Sequence, residues 1–190
     1  MERIPDHEIA PMFVRRWSSR AMNGEPVSHE NLMRLFEAAR WAPSSDNAQP
    51  WRFVYARRGT PHFEKLFGLL VKWNQIWAVR AGALVVVLSK KNFDEGRPSA
   101  THSYDTGAAW MSIALEASLL GMVVHGIAGF DHPRARVEVG VPDDYDVEAM
   151  IVLGNPGNVE DLPERYRARE FPNARRPVSE SAFEGMFPQT

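Results

Sequence analysis

Apolar and polar positions alternate along this chain in two distinguishable rhythms. Leu32, Leu35, Phe36 and Ala39 recur at i, i+3, i+4 and i+7, which predicts a helix with one buried face, and Ser28 stands where its hydroxyl can cap the start. Phe63, Leu66, Phe67 and Leu70 repeat the helical spacing, and Trp73, Ile76 and Trp77 either continue that helix or begin a second. A shorter helix is expected from about Ala10 to Arg16, and another from Pro133. From Tyr104 to Leu120, apolar residues cover more than one face and are mixed with small ones. That pattern predicts a long helix, ended by Gly121, lying centrally or in a subunit interface. Strand rhythm appears at Trp51 to Arg57, with Trp51, Phe53 and Tyr55 on one face, and at Met122 to His125 and Val147 to Leu153. The unbroken run Ala83 to Leu88 suits a strand buried on both faces. Lys90 to Ala100 reads as a charged loop.

Between the first amphipathic helix and the first strand lies Trp41-Ala42-Pro43-Ser44-Ser45-Asp46-Asn47-Ala48-Gln49-Pro50-Trp51. Pro43 ends the helix and Pro50 holds Gln49 extended, so the polar groups sit on a stiff connection. Hydroxyls and amides held that way can meet the edge of a planar heterocycle at little ordering cost, or can merely cap neighbouring backbone. Two further stretches carry candidate chemistry. Arg15-Arg16-Trp17-Ser18-Ser19-Arg20 presents three guanidiniums, and Gly126-Ile127-Ala128-Gly129 has two glycines three apart that let a flat ligand, or simply a turn, approach the backbone.

Composition narrows the class. The 190 residues are 44% hydrophobic and 24% charged, which predicts one domain over 1–190 with a sizeable core. A net charge of -2 offers nucleic acid no general attraction. Cysteine is absent, so disulfides, thiol catalysis and thiolate metal sites are excluded. The six histidines show no metal-ligand spacing, and no metal is expected. No Gly-x-Gly-x-x-Gly, P-loop or Gly-x-Ser-x-Gly occurs. No apolar run reaches membrane-spanning length and the N-terminus lacks signal-peptide character, so a cytoplasmic protein is expected. The segment from Asn155 to Thr190 is polar and proline-containing, and it is expected to lie across a second subunit.

Taken in order, Arg16-x-Ser18-x-Arg20, Ala42-Pro43-Ser44-Ser45-x-Asn47-x-Gln49-Pro50-Trp51, Gly126-x-x-Gly129-Phe130 and Arg175-Arg176-Pro177 resemble the FMN-dependent nitroreductase family over almost the whole chain. The resemblance implies an α+β fold, a central sheet flanked by helices, an intertwined homodimer, and FMN sites built at its interface. The implied cofactor-binding residues are Arg16, Trp17, Ser18, Arg20, Pro43, Ser44, Ser45, Asn47, Gln49, Asn74, Ile127, Ala128, Gly129, Arg175 and Arg176. Arg16, Ser18 and Arg175 would meet the phosphate. Ser45, Asn47 and Gln49 would meet the isoalloxazine edge, and Pro43, Ser44, Ser45 and Asn47 would reach the flavin held mainly by the other subunit. Arg20 would stand at the N1/C2 carbonyl end, where positive charge favours reduced flavin, and Asn74 at the pyrimidine edge. Backbone near Ala128 and Gly129 would meet N5. Many relatives are acidic where Ala128 stands, some have lysine at Asn173, and some are basic near Trp77. No protein nucleophile is implied: NADH or NADPH would pass hydride to flavin N5, and a small nitroaromatic, quinone, conjugated or aldehydic acceptor would take it. A specialised oxidase, dehalogenase or flavin-fragmenting enzyme and a non-catalytic flavin-binding protein remain as alternatives.

Overall fold

The computed structural model describes residues 3–188 and shows an α+β architecture. Strands β1 (Trp51–Arg57), β2 (Ala83–Lys90), β3 (Val123–Ile127) and β4 (Tyr145–Gly154) form an antiparallel sheet in the order β1-β2-β4-β3. Register is set by the alternation of side chains. Val86 faces both Val54 and Met150, and a bulge between Val87 and Leu88 shifts the β2–β4 pairing toward the charged end of the strands.

Because strand side chains alternate, the sheet feeds two cores. On one face Ala56, Leu84, Val86, Leu88, Met150 and Val152 pack with Phe63 and Leu66 of α3 (Pro61–Phe67) and with Trp77 and Ala78 of α4 (Lys72–Ala78). Ala135 of α6 (His132–Glu138) closes that layer. On the other face Trp51, Val85, Val87, Ile151 and Leu153 pack against α2 (His29–Arg40) and α5 (His102–Leu119). Helix α2 buries Leu32, Leu35 and Ala39, with Phe36 stacked on Phe53, as its spacing predicts, and the Ser28 hydroxyl accepts the Asn31 N–H at 3.1 Å. Helix α5 turns Ala109, Ile113, Ala114 and Ala117 inward and leaves Tyr104, Met111 and Leu119 exposed. The short α1 (Pro11–Arg15) buries nothing on its own.

Three stretches show more than their spacing reveals. The aromatic stretch from Phe63 to Trp77 is two helices, because the chain breaks at Leu70, which bridges Phe130. The charged loop after β2 contains a tight turn in which Asn92 bridges Pro98. The third is the tail, whose first part packs on its own chain: Pro156 bridges Met22, Leu162 is buried, and Tyr166 in α7 (Glu164–Arg167) donates its hydroxyl to the Trp73 carbonyl at 2.6 Å. Polar composition hid this because single apolar residues spaced along an irregular segment carry no periodicity. Beyond Phe171 the tail leaves Val178, Phe183, Met186 and Phe187 exposed.

Candidate functional site: an arginine cavity

Past α1 the backbone is extended, which sends alternate residues of Arg16 to Arg20 to opposite sides. Arg16, Ser18 and Arg20 thereby share a cavity of about 260 Å³ with Trp17. The two chain ends complete it: Arg3 comes from one, and Arg169, Asn173 and Arg175 from the other. Arg3 fastens the assembly. Its Nη1 donates to the Val14 and Arg16 carbonyls at 2.7 and 2.8 Å, and its Nε donates to the Asn173 carbonyl at 2.8 Å.

No carboxylate lines this cavity among the described residues. Burial, then the neighbouring Arg175 and Arg3, push the Arg16 guanidinium below the usual arginine range; burial and Arg175 do the same to Arg3. Like charges gathered at this density are stabilised by an anion placed among them.

One carboxylate works from behind. Glu170, its side chain fully buried, accepts the Ser19 hydroxyl at 2.5 Å and the backbone N–H groups of Arg20 and Ala21 at 2.6 and 2.9 Å, all on Oε1. Its Oε2 has no hydrogen bond among the described residues and lies 3.8 Å from the Arg20 guanidinium. The tail thus holds the arginine segment in shape through three donors on one oxygen.

A line of contacts runs from this segment to the glycine turn. His125 on β3 holds the Ser19 carbonyl with Nδ1 at 3.2 Å and packs on Trp77, with ring centroids 4.8 Å apart. Arg20 lies over the same indole at 5.8 Å. The indole N–H donates to Asn74 Oδ1 at 3.3 Å, and Asn74 Nδ2 donates to the Gly129 carbonyl at 2.9 Å. The glycine pair serves these contacts. A Cβ on Gly129 would stand 2.6 Å from Asn74 Nδ2, and one on Gly126 would stand 3.0 Å from the Trp110 ring. Protein therefore occupies the side of each glycine where a Cβ would stand. Ile127 turns its side chain into the core, so only its backbone can serve a site, while Ala128 is exposed.

The loop after α2 is stiff, but Gln49 is not held extended by Pro50: its backbone is left-handed, imposed by the loop's own hydrogen bonds. Asp46, Asn47 and Gln49 all have left-handed backbone, with φ of 50°, 53° and 47°. Such conformations cost about 1 kcal/mol each outside glycine and persist where surroundings impose them. Asp105, buried in the first turn of α5, accepts the Ser45 N–H at 3.1 Å; Ser44 Oγ accepts the Gln49 N–H at 3.0 Å; Arg97 pairs with Asp46 at 3.0 Å. Ser44 and Gln49 are thus partly spent on the loop itself, the Gln49 amide donating to the Asn47 carbonyl at 3.1 Å. Among the described residues the Ser45 hydroxyl and the Asn47 amide have no such partner, and they remain available to a ligand.

Not all the expected residues come together in one chain. Arg16, Trp17, Ser18, Arg20 and Arg175 share the cavity, and Asn74 and Gly129 join it through Trp77 and His125. Pro43, Ser44, Ser45, Asn47 and Gln49 do not line it. Arg176 lines a different hollow, beside Ile4 and Phe13, and pairs loosely with Glu180 at 3.9 Å. Arg3, Arg169, His125 and Glu170 escaped sequence reasoning, because none belongs to a periodic element or a short motif. A surplus of arginine at both chain ends was the only signal.

A second polar cluster does not assemble a nucleophile. Ser89, His102 and Glu148 meet, but the serine hydroxyl sits between the other two, 2.8 Å from His102 Nδ1 and 2.5 Å from Glu148 Oε1. A nucleophile requires the imidazole in the middle, and this serine is fully buried. No metal-binding cluster and no helix long and apolar enough to cross a membrane occur among the described residues.

Comparison with known proteins gives the family. A model of the Nitroreductase family matches residues 14–75, the stretch holding the arginine segment, the loop and Asn74. A solved structure of an oxidoreductase containing FMN superposes with a TM-score of 0.95 at 41% identity, over 99% of this chain and 97% of that one. A 15.4 kDa protein from the ask 5′ region of Mycolicibacterium smegmatis is 33% identical over 145 residues, 72% of this chain and 97% of its own. An NADH dehydrogenase of Thermus thermophilus is 27% identical over 201 aligned positions, 90% of this chain and 96% of its own. The chain belongs to the nitroreductase family.

Proposed function

We propose that this protein is a homodimeric FMN-dependent oxidoreductase that uses NADH or NADPH to reduce a small electron acceptor. The observation that carries the proposal is the arginine cavity lined by no carboxylate, in a chain similar over nearly its full length to an oxidoreductase containing FMN. Arg16, Ser18 and Arg175 hold the phosphate. Arg20, braced by Glu170 and laid over Trp77, presents positive charge toward the ring, where it favours added electrons. Asn74 is oriented by Gly129 and Trp77 to meet the pyrimidine edge, and the backbone from Ile127 to Gly129 lies along the ring.

The residue types fit an isoalloxazine edge, which needs both donors and acceptors: the Ser45 hydroxyl and Asn47 amide offer both on a loop already rigid before binding. Since that loop does not line the cavity of its own chain, a second subunit brings it, together with Pro43, Ser44 and Gln49. The exposed apolar residues of the late tail and of α5 supply surface for such an interface. A bound flavin supplies two-electron transfer between the nicotinamide and the acceptor; the protein's part is orientation, positive potential and exclusion of water.

Titration with FMN and with riboflavin, each against wild type and Arg16→Ala, tests this. Wild type is expected to bind about one FMN per chain, like a preformed cofactor pocket. The substitution should weaken FMN by roughly 1.5–3 kcal/mol, on the order of ten- to a hundred-fold, and leave riboflavin nearly unchanged. Absence of FMN binding would overturn the proposal.

A further inference from the structure

His125 is the group lining the arginine cavity whose ordinary pKa, 6.5, lies near neutrality. Its Nδ1 is 3.2 Å from the Ser19 carbonyl oxygen, which only accepts, so Nδ1 carries a proton in either charge state. Protonation is thereby confined to Nε2. The ring is held by its packing on Trp77, so it cannot turn away from charge that enters the cavity.

The charges around this imidazole come from every side. Its own strand neighbours, Val124 and Gly126, carry none, and α4 contributes only Trp77. The extended segment contributes Arg16 and Arg20, and the chain ends contribute Arg3, Arg169 and Arg175. Glu170 is the nearby carboxylate, and its Oε1 is committed to Ser19, Arg20 and Ala21. Burial, followed by Arg20, depresses the basicity of the ring, with the Ser19 carbonyl, Glu170 and the Ser18 carbonyl acting the other way. Burial and the surrounding arginines therefore favour the neutral imidazole while no anion is in the cavity. A phosphate monoester brings about two negative charges, which reverses the potential felt at Nε2.

We propose that His125 takes up a proton when a phosphorylated ligand fills the arginine cavity, so that the site binds its anion and a proton together. For FMN as that ligand this rests on the function proposed above; for the cavity it rests on the geometry of His125 alone. The linkage has a definite sign. A group whose pKa is higher in the complex than in the free protein favours binding at low pH, and that gain is lost as pH rises through the pKa of the complex.

Calorimetric titration of the complete chain at pH 6.5, in buffers of differing ionisation heat, counts the protons. The ligands are FMN, riboflavin and inorganic phosphate, and the variant is His125→Gln, whose amide can still donate to the Ser19 carbonyl. Wild type should take up roughly half a proton more than His125→Gln with FMN and with phosphate, and no more than the variant with riboflavin. In parallel, the ring carbon signal of His125 in labelled wild-type protein should report a pKa higher by a unit or more with saturating phosphate, a tenfold linkage. That second measurement decides the matter even if the variant fails to fold. Equal proton counts in wild type and variant, an unmoved His125 pKa, or no binding of either phosphorylated ligand would overturn the proposal. Proton uptake with phosphate alone, and no binding of FMN, would support His125 as proton acceptor and overturn the flavin assignment instead.

Discussion

Glu170 connects two parts of the chain that sequence distance separates by about 150 positions. Its carboxylate satisfies the Ser19 hydroxyl and the N–H groups of Arg20 and Ala21, and it faces the Arg20 guanidinium. Glu170→Ala leaves those donors without their acceptor in a buried place, so a loss of about 2–4 kcal/mol in unfolding free energy is expected. FMN affinity should fall with it, because the segment bearing Arg16 and Arg20 loses its brace. Denaturant unfolding and FMN titration of the same variant check both; an unchanged midpoint would remove the bracing role. At this scale the sequence was legible where chemistry is written locally. Arg16, Ser18 and Arg20 sit two apart, and an extended backbone puts them on one side. Glu170 was illegible because a lone carboxylate in an irregular tail looks like any solvated charge until the fold shows where it points.

Elements follow periodicity closely. All four strands and the helices α2, α3 and α5 lie where the spacing of apolar residues predicts them, within a few residues, because two-fold and 3.6-fold patterns each commit one face to the core. The loop between α2 and β1 shows where such reading stops. Prolines announce a stiff connection, yet nothing in the spacing reveals that Asp46, Asn47 and Gln49 adopt left-handed backbone or that Asp105 anchors Ser45. Asn47 offers a way to separate backbone from side chain. Asn47→Gly accepts φ of 53° without strain and removes only the amide. Thermal stability should therefore stay within about 1 kcal/mol of wild type, while FMN affinity falls by several-fold. Loss of stability with unchanged flavin affinity would return Asn47 to a purely structural role.

For the whole molecule, the two chain ends are the informative parts. Part of the segment 155–170 packs on its own chain, through Leu162 and Tyr166, whereas Phe183, Met186 and Phe187 beyond it are exposed. If a second subunit covers them, light scattering of the complete protein should give twice the 21.5 kDa chain mass. Removing 171–190 should then weaken dimer and flavin together, since the cut spares Glu170 and takes Asn173 and Arg175 from the cavity. A truncated chain that stays dimeric and binds FMN as tightly as wild type would separate the tail from both. Electron transfer is the claim on which the rest converges. Anaerobic mixing of the FMN-loaded protein with NADH, and separately with NADPH, followed at the flavin's visible absorbance, tests it most directly. Rapid bleaching by at least one nicotinamide, and recovery of colour when a quinone or nitroaromatic is added, is the expected result; bound flavin that keeps its colour with both nicotinamides would contradict the account.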